Sequence, residues 1–326
     1  MSKNVTNGGD SPASPWLPYY RGPLADAKVR LVAFHWAGGS ASAYNGQQWR
    51  ALPDGVEFLA VQLPGREKRN GEKTPATAQD AAKGVVDGLG HLLSGGIPTV
   101  FFAHSMGTWV AFECVREMRR RKMDLPKLLI VSNLAAPQMP ESRRPWRVNA
   151  KLSEAQFKEE CRAWGVNEIV MKDSFWKGYH LPFRADFKIF DEYKYAEEAP
   201  FGGVSIVAFL SANDPRIRKD MMEMWREQTT DKATFYVKSF PGDHFYVQSK
   251  EIVPKIVKEV SDLLEKVKRG DIPHKEVEEK TFVDEDIVRK INLLDILQED
   301  HPDKSPPPED CTEKWTEQEI RSYFES

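Results

Sequence analysis

Six short apolar runs alternate along the chain with stretches whose apolar positions recur every three or four residues. Val29–Phe34, Phe58–Gln62, Thr99–Ala103, Leu128–Ser132, Val204–Leu210 and Thr234–Val237 are β-branched or aromatic and bounded by breakers. They are too short for helices and read as buried strands. Between them, Thr77 and Asp80 form a capping-box-like start. Ala82, Val85, Val86, Leu89, Leu92 and Leu93 follow at helical spacing. Ile252, Val253, Ile256, Val257, Val260, Leu263, Leu264 and Val267 mark a closing helix. Near-continuous apolar strands separated by helices predict an α/β fold, a mostly parallel sheet with helices on both faces. No internal repeat is visible.

Three stretches fall outside this alternation. Residues 1–20 are rich in Ser, Asn, Gly and Pro and predict a flexible lead-in. Residues from 138 to about 190 carry helical patterns without a strand. Lying between the fourth and fifth strands, they predict a helical insertion over one edge of the sheet. Residues 269–326 form an acidic extension. Within it, Thr281 and Asp284 predict the start of a helix carrying Val283, Ile287, Ile291 and Leu294. Pro306, Pro307 and Pro308 end that helix, and Thr316 with Glu319 starts a short second one bearing Ile320, Tyr323 and Phe324, with Trp315 nearby. The predicted layout is a body over 21–268, with its insertion, followed by this extension.

Charge sharpens the division. The chain has 326 residues and a net charge of −3, but residues 269–326 hold 8 Lys/Arg against 17 Asp/Glu, leaving the rest at +6. A basic body suits an acidic partner. Hydrophobic residues make up 40% and charged residues 29%, enough for a sizeable core. No apolar run approaches the roughly 20 residues that cross a bilayer. The opening residues have no apolar stretch of the secretory kind. Cys114, Cys161 and Cys311 are odd in number and far apart, which argues against a disulfide framework or a zinc site. The expectation is a soluble cytoplasmic protein with no metal, no membrane and no nucleic-acid partner.

The strongest chemical signal is Ala103-His104-Ser105-Met106-Gly107, which follows a strand and opens a helical pattern. That context suits a nucleophile elbow, a tight turn that lifts a serine hydroxyl above the sheet. The usual pattern is G-x-S-x-G, with alanine here in first place. A serine hydroxyl needs a histidine base, and the histidine needs an orienting carboxylate. Asp214 follows the fifth strand and His244 the sixth, in the chain order Ser, acid, His. An oxyanion needs backbone donors. Met106, after the serine, supplies one. Ala37, in the glycine-rich loop His35-Trp36-Ala37-Gly38-Gly39-Ser40, is the candidate for the second.

These residues resemble the type II thioesterases of the α/β-hydrolase superfamily, the stand-alone editing enzymes of polyketide and nonribosomal peptide assembly, with acyl-carrier-protein hydrolases as relatives. The similarity runs from about Trp16 to Leu264. Its marks are Ala37-Gly38-Gly39-Ser40-Ala41-Ser42, Leu63-Pro64-Gly65-Arg66-Glu67, His104-Ser105-Met106-Gly107, Leu181-Pro182 with Arg184-Ala185-Asp186-Phe187, Asp214-Pro215-Arg216 and Gly242-Asp243-His244-Phe245. The resemblance implies an α/β-hydrolase fold and a catalytic triad of Ser105, Asp214 and His244. It also implies an oxyanion hole of Ala37 and Met106, and a lid over 138–190. It implies hydrolysis of an acyl group from the phosphopantetheine thiol of an acyl or peptidyl carrier protein, in polyketide, nonribosomal peptide or fatty acid synthesis. The prosthetic group belongs to the carrier, so the chain itself needs no cofactor. His35-Trp36 stands where the family has Pro-His, and the acidic extension has no family counterpart.

Arg143, Arg144, Arg147, Arg119, Arg120, Arg121 and Lys122 are the candidate cations for an acidic carrier, and Arg184 and Asp186 are expected to position the lid. A carboxylesterase or acyltransferase would use the same triad, and a non-catalytic binding module on this scaffold is the remaining alternative.

Overall fold

The computed structural model describes residues 14–271 and, beyond them, 290, 293, 294, 297, 298, 300–302, 304–308 and 311–325. Six strands, β1 (Val29–Phe34), β2 (Val56–Ala60), β3 (Thr99–His104), β4 (Leu128–Ser132), β5 (Ser205–Ser211) and β6 (Tyr236–Phe240), form one sheet in the order β2-β1-β3-β4-β5-β6. Every neighbouring pair is parallel. All six C-terminal ends therefore meet at one edge, the edge where open α/β sheets hold their ligands.

Alternation along the strands divides the core. Val32, Phe34, Phe101 and Ala103 face one layer, which contains α1 (Ala78–Leu93) and α2 (Met106–Arg120). Leu31, Ala33, Val100 and Phe102 face the other, filled by α7 (Val253–Lys268) and the 3₁₀ turns Ala41–Tyr44 and Gln48–Arg50. The Thr77 hydroxyl caps α1 by accepting from the Asp80 amide at 3.0 Å. The read strands differ from the observed ones mainly at β2 and β6, each of which is displaced by two or more residues.

Between β4 and β5 lie three α-helices, α3 (Glu154–Ala163), α4 (Glu168–Met171) and α5 (Asp173–Asp191), and no strand, while α6 (Lys219–Glu223) follows β5. A Ser153–Gln156 capping box starts α3, and Pro182 lies inside α5. Phe157, Cys161, Trp164, Phe183, Phe187 and Phe190 join the same apolar layer as α1 and α2.

Of the expected lead-in, residues 1–13 lie outside the described residues. Packed structure begins soon after: Leu17 is buried, and Trp16 lies under the Arg69 guanidinium at 4.0 Å and against Gly84 and Gly88. The chain divides into two compact units, Met1–His274 and Lys275–Ser326. In the second, α8 (Cys311–Lys314) precedes α9 (Glu317–Glu325). Thr316 Oγ1 accepts from the Glu319 amide at 3.3 Å while the Glu319 carboxylate accepts from the Thr316 amide at 2.7 Å, a reciprocal cap for α9. Leu293, Ile320 and Phe324 bury against Leu294, Trp315 and Tyr323. Thr281, Val283, Asp284, Ile287 and Ile291 lie outside the described residues.

Leu264 on α7 is fully buried, whereas Leu181 on α5 is 68% exposed. Leu264→Ala is expected to cost about 2–5 kcal/mol of unfolding free energy, and Leu181→Ala less than about 0.5. Urea denaturation of both variants checks this, and comparable losses would contradict the layer assignment.

Candidate active site

Each loop at the C-terminal edge contributes one part. After β3 the chain turns through Ser105 at φ 52° and ψ −129° and enters α2 at Met106. Backbone holds the turn: the Ser105 amide donates to the Ser132 carbonyl at 2.8 Å, and the Thr108 amide to the Ser105 carbonyl at 2.8 Å. Gly107 is required by space, because a Cβ there would lie 2.5 Å from the His35 carbonyl oxygen and 2.8 Å from that of Phe34. Ala103 is fully buried inside the β3 ladder, so its methyl fits where the pattern usually has glycine.

Ser105 Oγ lies 2.9 Å from His244 Nε2, and His244 Nδ1 lies 2.6 Å from Asp214 Oδ2. With a carboxylate accepting at Nδ1, that nitrogen carries the proton and Nε2 is free to accept from the serine. The three side chains, separated by up to 139 residues, form one continuous hydrogen-bonded chain. His244 is 2% exposed and Ser105 6%. Trp164 stands edge-on to the His244 ring, centroids 4.7 Å apart.

Asp214 is held from all sides. Its Oδ1 accepts from the Arg216 and Ile217 amides, both at 2.8 Å, and its Oδ2 also accepts from Asn133 Nδ2 at 3.0 Å. Burial pushes the carboxyl up, but the His244 contact and the two amides outweigh it and hold it below the usual carboxylate range. Asn133 had no place in the sequence reading. It follows β4 at φ 45° and also bridges to Ser211, donating to Oγ at 2.9 Å and accepting from the Ser211 amide at 2.8 Å. An asparagine directly after a strand is the sort of residue that tolerates this backbone region, and that is the only sequence signal for it.

His104 lies beneath the site. Its Nδ1 is 2.8 Å from Ser132 Oγ, which is 2.7 Å from the Tyr246 hydroxyl. Burial, then the neighbouring His244, keeps its pKa well below that of an ordinary histidine.

The loop after β1 faces this chain. The Trp36 carbonyl accepts from His35 Nδ1 at 2.9 Å and from the Gly39 amide at 2.9 Å. The Gly38 amide donates to Asp186 Oδ2 at 2.7 Å. Among the described residues, the Ala37 and Met106 amides have no protein acceptor. A cleft of about 580 Å³ opens beside this loop, lined by Trp36, Ala37, Gly38, Tyr179, Phe183 and Phe245 among others, with Ser105 and His244 outside its lining.

The inserted helices are pinned to two of the loops. Arg216 pairs with buried Glu160 on α3 at 2.7 Å and donates to the Ala163 carbonyl at 3.1 Å. Arg66, one of the residues that carry the family resemblance, makes a two-pronged pair with Asp186 on α5, at 2.7 and 2.6 Å. Arg184 donates to the Asn149 carbonyl at 2.9 Å. Most of the candidate carrier-binding cations have internal partners. Arg119 pairs with Glu198 at 2.5 Å, Arg120 with Glu117 at 2.9 Å, Arg121 with Asp87 at 2.7 Å and Arg147 with Glu160 at 2.8 Å. Arg144 donates to the Tyr193 carbonyl at 2.8 Å. Arg143, 3.9 Å from Asp220, and Lys122, at φ 56°, are less engaged. Among the described residues no cluster of His, Cys, Asp or Glu is arranged to hold a metal, and no helix is long and apolar enough to cross a membrane. The three cysteines are free and buried.

A parallel sheet with a serine elbow, a later acid loop and a final histidine loop is the α/β-hydrolase fold. Residues 29–264 match the Thioesterase domain family, and the chain belongs to it. It is a hydrolase acting on thioesters, and its relatives include thioesterases of biosynthetic pathways. It is 37% identical over 224 residues to the gramicidin S biosynthesis protein GrsT of Aneurinibacillus migulanus, covering 68% of this chain and 84% of that one. It superposes on RedJ, the thioesterase from the prodiginine biosynthetic pathway of Streptomyces coelicolor, with a TM-score of 0.66 and 29% identity, covering 77% of this chain and 99% of RedJ. The type II thioesterase BorB from the borrelidin biosynthetic cluster gives 0.63 and 26%, over 77% and 97%.

Gly107→Ala places a methyl against two backbone carbonyls and is expected to cost about 1–3 kcal/mol of stability; an unchanged urea midpoint would contradict the crowding. His35 is fully buried, and burial with the nearby Arg66 charge pushes its pKa down to about 4. The folded protein keeps His35 neutral down to that pH, whereas the unfolded chain takes up the proton near pH 6.5. The stability this confers is complete above about pH 6.5 and is lost as pH falls toward 4, at most about 3 kcal/mol. Unfolding free energies at pH 7, 5.5 and 4.5 should fall less steeply for His35→Gln than for the parent.

Proposed function

We propose that the protein hydrolyses acyl groups from the phosphopantetheine thiol of an acyl or peptidyl carrier protein through an acyl-serine intermediate. The observation that supports this most is the unbroken chain from Ser105 Oγ through His244 to Asp214, in a member of a thioesterase family. In this reading His244 Nε2 takes the Ser105 proton as Oγ attacks the thioester carbonyl. Asp214 holds the Nδ1 proton and stabilises the imidazolium that forms. The carbonyl oxygen becomes an oxyanion held by the Ala37 and Met106 amides, the second at the positive end of α2. The C–S bond then breaks, and His244 returns its proton to the departing thiolate. A water, deprotonated by His244, attacks the acyl-serine; the bond from the acyl carbon to Oγ breaks, His244 gives the proton to Oγ, and the carboxylic acid leaves.

The pantetheine arm comes with the carrier, so the chain contributes residues and no cofactor of its own. The body over 21–268 is the catalytic domain, its 138–190 insertion a lid over the acyl group, and 269–326 an appended acidic segment. The site of action is the cytoplasm, where carrier-bound intermediates are made.

Ser105→Ala is expected to lower turnover on the order of 10⁴-fold or more and to abolish labelling by a fluorophosphonate. The substrate class is checked by comparing kcat/KM for an acyl carrier protein, the same acyl-CoA and a simple ester. The expected ranking puts the carrier first. A faster simple ester, or transfer of the acyl group to an added acceptor in place of water, would replace this reading with an esterase or an acyltransferase.

A further inference from the structure

The loop that carries the Ala37 amide is built so that both peptide planes beside Ala37 are fixed. A trans peptide points its N–H opposite to its C=O. The Trp36 carbonyl is held by His35 Nδ1 and the Gly39 amide, both at 2.9 Å, which fixes the Ala37 N–H at the opposite edge of that plane. The next plane is fixed at its N–H, where Gly38 donates to Asp186 at 2.7 Å. The first constraint lies within the loop. The second comes from helix α5, 148 residues away in sequence.

Asp186 is fully buried and receives three charged or backbone donors. Oδ2 takes the Gly38 amide and Arg66 Nη1, and Oδ1 takes Arg66 Nη2. Arg66 Nη1 continues to the Gly39 carbonyl at 3.1 Å. Phe183, one turn earlier on α5, occupies the space a side chain on Gly38 would need: a Cβ there would lie 2.1 Å from the ring. Gly38 itself sits at φ 75°, where a side chain would be strained. One helix of the insertion thus grips the loop by packing and by charge, with Arg66 closing the far side.

We infer that Asp186, together with Arg66, is a positioning residue that makes the Ala37 oxyanion donor depend on the seating of helix α5. The inference rests on the reading of Ala37 as a donor. If α5 lifts, the Gly38 amide loses its acceptor and the buried Arg66 loses its carboxylate, so the Ala37–Gly38 peptide is free to rotate and the Trp36–Ala37 peptide keeps only the hydrogen bonds made within the loop. The hydrolytic site is then complete only while the insertion is closed over the acyl thioester. The loss is bounded by that of one oxyanion donor, on the order of 10²–10³ in turnover.

The test uses the full chain and three variants. Arg66→Met with Asp186→Leu replaces the buried pair by apolar residues, a change that buried ion pairs often tolerate. Asp186→Asn keeps the volume and one acceptor oxygen. Arg66→Met alone leaves the Gly38 acceptor in place. Each is assayed for melting temperature, for kcat and KM on an acyl thioester, and for affinity toward an alkyl boronic acid, which forms a tetrahedral adduct with a serine. In the folded double variant kcat should fall roughly 10- to 100-fold and boronate affinity by the same factor, with KM within about threefold. Asp186→Asn should fall in the same direction by a smaller factor. A double variant, or an Asp186→Asn variant where the double does not fold, that keeps kcat within about twofold overturns the inference. So does a loss confined to KM, or a kcat loss without a parallel loss of boronate affinity. Ser105→Ala is run beside them: if it stays active, the triad reading fails, whereas an inactive Ser105→Ala beside fully active Asp186 variants sinks only the positioning role.

Discussion

A serine at φ 52° and ψ −129° stands in a backbone region that costs a non-glycine residue on the order of 1–3 kcal/mol, and it persists only where its surroundings over-determine it. Here those surroundings are three strands. β3 delivers the residue, β4 accepts its amide at Ser132, and the end of β1 presses its carbonyls against Gly107. The parallel register makes this possible, because β1, β3 and β4 end side by side. The same register sets the ends of β5 and β6 beside them, so Asp214 and His244 arrive at the raised hydroxyl without long loops. The strain at one residue is thereby carried by the sheet that positions its partners.

Much of this was legible along the chain. The strand–turn–helix around Ser105 and the order of serine, acid and histidine are local patterns, and parallel strands turn such order into proximity. The edge strand was read less well. In β6, Lys238 and Ser239 interrupt the apolar run because one side of an edge strand meets solvent, while Thr234, read as the strand's start, instead closes a turn on Asp231. At β2, Val61 continues the apolar run and the buried, polar Gln62 follows it beyond the last strand residue, Ala60.

The interactions that escaped sequence reading share a physical cause. Arg66 and Asp186 are 120 residues apart, and Arg216 meets Glu160 across 56 positions. Charged pairs of this kind leave no periodicity, and singly each resembles an ordinary surface residue. Asn133 is harder still, since its role comes from a positive φ and two neighbours, Ser211 and Asp214, that only folding brings near. Buried ion pairs contribute little net stability after desolvation, so their use here is better sought in geometry. Glu160 and Asp186 lie on different helices of the insertion, and each holds an arginine from a different loop at the sheet edge.

Pro182 divides the helix that bears Asp186. Proline has no amide hydrogen, so the Gly178 carbonyl one turn back loses its helical donor, and the ring crowds that turn. On one side of the break stand Phe175, Tyr179 and Leu181, largely exposed, with Trp176 turned in against Phe157, and on the other Phe183, Asp186, Phe187 and Phe190, all buried. The helix is therefore most compliant where its solvent-facing part meets its anchored part. A bend at that joint would widen the rim of the cleft around a bulkier guest while the anchored half kept its hold on the glycine loop.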